Sequence, residues 1–128
     1  MTNEPQTTLI IRFTLKNNRL NVTKSVLYAL GKPCWIQVLI SKDRKTMFIK
    51  RCETKMRDSF FVPPRVYNDP EYKYVLRKAA FSEAVCNAQN WDEKGKFRLF
   101  GFSIAGGVIG FRFDEALRLE DCEEDNET

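Results

Sequence analysis

The arginines and lysines are the residues of this sequence best suited to chemistry, and that chemistry is contact with phosphate. Arg12, Lys16, Arg19 and Lys24 crowd one short stretch. Lys42, Arg44 and Lys45 form a second cluster, followed by Lys50 and Arg51. Lys55, Arg57, Arg65, Lys73, Arg77 and Lys78 form a third. Arginine presents a planar fork of donors and lysine a mobile point charge, and both serve phosphate oxygens. The first cluster and the 42–45 run are the candidate nucleic-acid contacts.

Other chemistries lack their residues. The chain has no histidine, which removes the commonest general base and the commonest metal ligand. Cys34, Cys52, Cys86 and Cys122 stand far apart with no CxxC, so neither a zinc site nor a disulfide framework is expected, and free thiols fit a reducing cytoplasm. No glycine pattern of a phosphate loop or dinucleotide fold occurs. The adjacent pairs Asp92-Glu93 and Asp114-Glu115 read as loop and helix-end charges. The expectation is a protein without catalysis, metal or cofactor.

Charge is divided unevenly along the chain. Residues 119–128 hold 6 of the 17 acidic groups and no basic one, leaving 21 basic against 11 acidic in residues 1–118. A basic body suits a polyanion. The acidic C-terminal tail has little to bury and is expected to be disordered. Residues 1–118 read as one globular domain. No apolar run is long enough to cross a bilayer, and the first residues carry no secretory pattern.

The elements that must position these cations are mostly strands. Residues 9–15 alternate apolar and polar, the period-two pattern of a half-buried strand. Lys16-Asn17-Asn18 makes a turn, and 19–22 resumes an extended segment. Thr23 is placed to cap a short helix ending at Leu30-Gly31. Residues 35–40 and 46–51 form a hairpin with the basic run at its tip. A long connection, 53–71, follows, with Phe60-Phe61-Val62 set to dock on the core. Tyr72–Leu76 reads as a strand, and Ser82 as the cap of a helix to about Asn90. Residues 96–102 and 108–113 form strands around Ala105-Gly106-Gly107. Asp114 is placed to cap a last short turn. Core packing accounts for most of Phe97, Phe100, Phe102, Phe111 and Phe113, and an exposed aromatic face would offer stacking to single-stranded nucleic acid.

Both halves therefore run strand, capped helix, strand, turn, strand. The half-repeats span about 9–52 and 72–119, with Val22-Thr23 matching Phe81-Ser82, Val26 matching Val85 and Ala29 matching Ala88. The fold expected is α+β and β-rich, built from two β-α-β-β halves.

The stretch Arg12–Arg51 resembles the AbrB-like swapped-hairpin family of bacterial DNA-binding regulators and antitoxins. The resemblance rests on Asn18-Arg19-Leu20-Asn21-Val22-Thr23, then Val26-Leu27-Tyr28-Ala29-Leu30-Gly31, then the hairpin 35–51. It implies a small barrel of two interlocked halves related by a pseudo-twofold, here within one chain. It also places Arg19 at the family's turn arginine and Arg12 at the arginine of the preceding strand. Positions that are basic in the family's helix are Leu27 and Tyr28 here.

The expected function is a non-catalytic, cytoplasmic DNA-binding module of a bacterial transcription regulator or mobile-element accessory protein. It would bind double-stranded DNA through Arg12, Lys16, Arg19, Lys24, Lys42, Arg44 and Lys45, as a monomer or homodimer. The alternative is a protein-interaction module, antitoxin-like or scaffold, with no nucleic-acid role.

Overall fold

A computed structural model describes residues 8–92 and 95–119. Its strands are β1 (Ile10–Thr14), β2 (Arg19–Val22), β3 (Trp35–Ile40), β4 (Thr46–Cys52), β5 (Ser59–Phe61), β6 (Tyr74–Arg77), β7 (Lys96–Ile104), β8 (Val108–Arg112) and β9 (Leu117–Arg118). Its α-helices are α1 (Lys24–Ala29), α2 (Arg65–Asn68) and α3 (Ala79–Gln89). The strands make one antiparallel sheet in the order β5-β3-β4-β8-β7-β1-β2-β6, with β9 beside β7. The sheet curls into a nearly closed barrel whose open seam separates β5 from β6.

Alternation builds the core. Ile11 and Phe13, Leu20 and Val22, Met47 and Ile49, Leu99, and Ile109 and Phe111 all point inward and are buried. Val26 and Leu27 of α1 and Val85 of α3 add to the same cluster. β7 serves both parts of the barrel. Lys96–Phe100 pair with β1, while Gly101–Ile104 pair with β8. The change of partner falls at Gly101, where an added Cβ would lie within 3.0 Å of Phe111, Ile109 and Leu9. Only glycine admits so close a crossing of chains.

The two halves interlock as the pseudo-twofold barrel requires. β3-β4 meets β8-β7 through the central β4·β8 pair, and β2 meets its counterpart β6. β1 pairs with β7 of the other half, and β5 pairs with β3 in the same way. The second half therefore begins inside the long 53–71 connection, which contains β5 and α2. In the first half a tight turn closes β1 onto β2 through Asn18, whose φ of 54° is left-handed. In the second half residues 62–73 replace that turn, and β5 never pairs with β6. That substitution creates the seam.

Several local expectations change. Thr23 flanks α1, but its hydroxyl donates to the Ile10 carbonyl at 2.7 Å and does not cap the helix. α3 starts three residues before Ser82, with Lys78 at its N-cap and no side-chain cap. Ser82 is buried inside the helix. Asp114 lies within a 3-10 turn, Phe113–Glu115, that leads into β9. Leu119, expected at the head of the tail, is buried and donates its N–H to the Lys96 carbonyl at 2.9 Å. The expected disorder of the remaining tail, from Glu120 on, lies outside the described residues, as does Cys122. Cys34, Cys52 and Cys86 are free thiols. Among the described residues no helix is long and apolar enough to cross a membrane.

Candidate nucleic-acid interface

The inward turn of the apolar residues on β7, β1, β2 and β6 forces their alternate residues onto one outer face. The register sets these in cross-strand rows. Lys96, Thr14, Arg19 and Arg77 form one row, and Arg98, Arg12, Asn21 and Val75 the next. Phe100 and Ile10 continue the face beyond them. None of the four strands contains a carboxylate. Five basic residues thus share a face whose four strands supply no carboxylate.

Two of the contacts within these rows are like-charge pairs. Arg12 stands opposite Arg98, and Arg19 opposite Arg77. Directly opposed like charges destabilise a sheet, on a scale of about 0.2–1 kcal/mol per pair. The Nε of Arg98 is buried with no hydrogen-bond partner among the described residues. A buried donor left in this way lowers stability. An anion lying over the rows would offset both costs.

At the edge of this face Arg12, Asn21, Lys24, Tyr72 and Lys73 line a recess of about 240 Å³. Lys24 is anchored there by donating its ammonium to the Asp69 carbonyl. The Asp69 carboxylate is held below its ordinary range by the Glu71 N–H and by Arg65, and the Arg65 guanidinium also lies 4.9 Å from the centre of the Tyr72 ring. The recess thus joins cations, an amide and an aromatic edge.

The seven residues expected to bind nucleic acid do not form one site. Arg12 and Arg19 lie in the basic rows, and Lys24 lies in the adjoining recess. Lys16 is exposed on the turn after β1, in a cleft shared with Ser82, Glu83 and Asn87 of α3. Lys42, Arg44 and Lys45 belong to the hairpin tip on β3-β4, which β8 and β7 separate from β1. That tip does not project as a ribbon for a groove. It rests on α3, whose Gln89 amide donates to the Arg44 carbonyl, and Lys42 and Arg44 share a cleft with Ala84 and Ala88. Inside the tip, Ser41 and the Lys45 N–H both donate to Asp43 and lower its carboxyl pKa. The tip therefore carries its own counter-charge.

Sequence reasoning missed Lys96 and Arg98 and gave Arg77 and Lys73 no place in the site. The signal for the first two was present. In Lys96-Phe97-Arg98-Leu99 the cations alternate with core residues as Arg12 does with Ile11 and Phe13. What one sequence does not carry is that β7 lies next to β1. Arg51, counted with the basic clusters, is structural: it donates to the Leu30 carbonyl at 2.9 Å and pairs with Glu53 at 3.1 Å.

Among the described residues no three of His, Cys, Asp and Glu gather as a metal would need. The raised tyrosines, Tyr67 and Tyr74, both donate to backbone carbonyls that tie the connection to the barrel. No family model, curated protein or solved structure matches this chain.

Proposed function

We propose that this chain is a non-catalytic nucleic-acid-binding module, with the phosphate backbone lying across the outer face of β7-β1-β2-β6. The supporting observation is two pairs of opposed arginines, Arg12 with Arg98 and Arg19 with Arg77, on four strands without a carboxylate. Phosphates over the rows would bridge the guanidinium groups that the register sets side by side. Tyr72 and Phe100 at the margins offer stacking to bases. The interlocked halves are in keeping with the AbrB-like resemblance, and a DNA-binding regulator or accessory protein is the form of this reading that the resemblance favours.

Five cations on the face give an expected slope of about −4.5 for log affinity against log salt on duplex DNA. Fluorescence anisotropy with duplex and single-stranded oligonucleotides, from low to physiological salt, measures it. Absence of binding at low salt, or a slope near zero, rejects the proposal and returns the face to the protein-interaction reading, with an acidic partner.

A further inference from the structure

The barrel seam encloses a second, different kind of site. β5 and β6 are pinned together at one end, where the Tyr74 hydroxyl donates to the Phe61 carbonyl at 2.8 Å. Beyond that point the edges part around a cavity of about 400 Å³, within the range of small-molecule pockets. Its walls are apolar: Leu20, Val38, Leu39, Phe60, Leu76 and Phe81. Leu39 and Phe60 come from one half of the seam, and Leu20 and Leu76 from the other.

The lining also carries charged residues and the start of a helix. Ala80, Phe81 and Ser82 of the first turns of α3 line the cavity. That helix has neither a side-chain cap nor an acid in its first turn, so its N-terminal N–H groups and dipole favour an anion. Ser82, only 4% exposed, stands on this lining. The Lys78 ammonium lies 5.8 Å from the centre of the Phe60 ring, and Arg57 is on the lining too. Asp58 is the lining's one carboxylate, against these two cations.

We infer that this seam cavity binds a small amphipathic carboxylate, its apolar body between Leu20, Leu39, Phe60 and Leu76 and its carboxylate at Lys78, Ser82 and the start of α3. The apolar walls account for the body and the uncapped helix start with Lys78 for the charge. This site is separate from the basic sheet face, and neither depends on the other.

The probe is decanoate, titrated into the full chain and followed by calorimetry and by methyl and amide NMR shifts. Decanol, with the same chain and no charge, is the control. One-to-one binding that shifts the Leu20 and Leu76 methyls and the Ala80 and Ser82 amides is expected, with decanol at least tenfold weaker. Lys78→Gln should weaken decanoate about fivefold and leave decanol unchanged. Val38→Trp should fill the cavity and abolish both. Decanoate that leaves those signals unmoved, or decanol that binds equally well, overturns the inference. The decanol comparison needs only the natural chain, so it decides the matter even if a variant fails to fold.

Discussion

Arg12 on β1 and Arg98 on β7 are directly opposed on the outer face of the barrel. Neither strand carries a carboxylate, and Arg98 has its Nε buried without a partner among the described residues. A sheet selected for stability alone would place an acid or a threonine at one of these positions. If the face binds nucleic acid as proposed, stability and binding pull in opposite directions here.

Replacing Arg98 with Thr separates the two. Thr has high strand propensity and removes the opposed charge. The variant should melt at the same temperature as the parent or a few degrees higher at low salt. Its nucleic-acid affinity should fall about fivefold or more, and its salt slope should lose about one unit. Thermal unfolding and anisotropy titrations on the same sample test both halves of this statement. A variant that loses stability and keeps its affinity contradicts it.

The hairpin tip gives the complementary control. Lys42 and Lys45 are exposed cations, but they belong to the hairpin tip that rests on α3, away from the sheet face. The double change Lys42→Ala, Lys45→Ala should leave affinity within about twofold. Arg19→Ala with Arg77→Ala removes the same amount of charge from the sheet face and should lower affinity at least tenfold at equal ionic strength. Equal losses in the two double variants would mean that net charge, and not the face, drives binding.

How much of this could be read beforehand divides along sequence distance. Local signals were sound: the period-two strands, Asn18 as a left-handed turn, Gly31 after the first helix and the 35–51 hairpin all stand where their residues put them. The fold class was legible because the order of elements repeats, and the interlocked halves followed from the AbrB-like resemblance. The cap at Ser82 was misread because a buried serine inside a helix and a serine at its start look alike in sequence. β5 was hidden in the 53–71 connection, since three residues between prolines and charges carry almost no periodicity. The site was only half legible. Arg12 and Arg19 follow from alternation within one strand pair, but Arg98 joins them through a pairing 86 positions away, which no local pattern encodes. The 42–45 run is conspicuous in sequence as a dense run of cations, but sequence does not show that its hairpin folds it against α3.

Gly107 tests the junction between the halves. Its φ is +74°, and an added Cβ would meet the Arg51 side chain at 2.7 Å. Its carbonyl accepts the Arg51 N–H at 3.0 Å, where β4 runs beside β8. Gly107→Ala should cost about 1–3 kcal/mol through the left-handed backbone and the displaced arginine. Gly106→Ala, with a φ of +86° but nothing within 4 Å of its Cβ, carries the backbone cost alone and should be the milder of the two. Chemical denaturation of the pair separates strain from crowding.

Alkaline pH should open the seam first. Burial, and then the neighbouring Cys34 and Tyr28, push the Tyr67 hydroxyl from 10 up to about 12. Burial, and then Tyr67 and Tyr72, push Tyr74 up as well. Both phenols must stay protonated to donate, Tyr67 to the Pro33 carbonyl and Tyr74 to the Phe61 carbonyl. A folded pKa above the unfolded one gives stability that is complete below about pH 10 and is lost as pH rises through the folded value. Melting temperature should therefore hold level up to about pH 9.5 and decline from there toward pH 12. Tyr74→Phe should lower it at neutral pH, through loss of one hydrogen bond worth about 0.5–1.5 kcal/mol, and make the alkaline decline shallower, because one of the two titrating groups is gone. A decline as steep in the variant as in the parent would assign the transition to other groups.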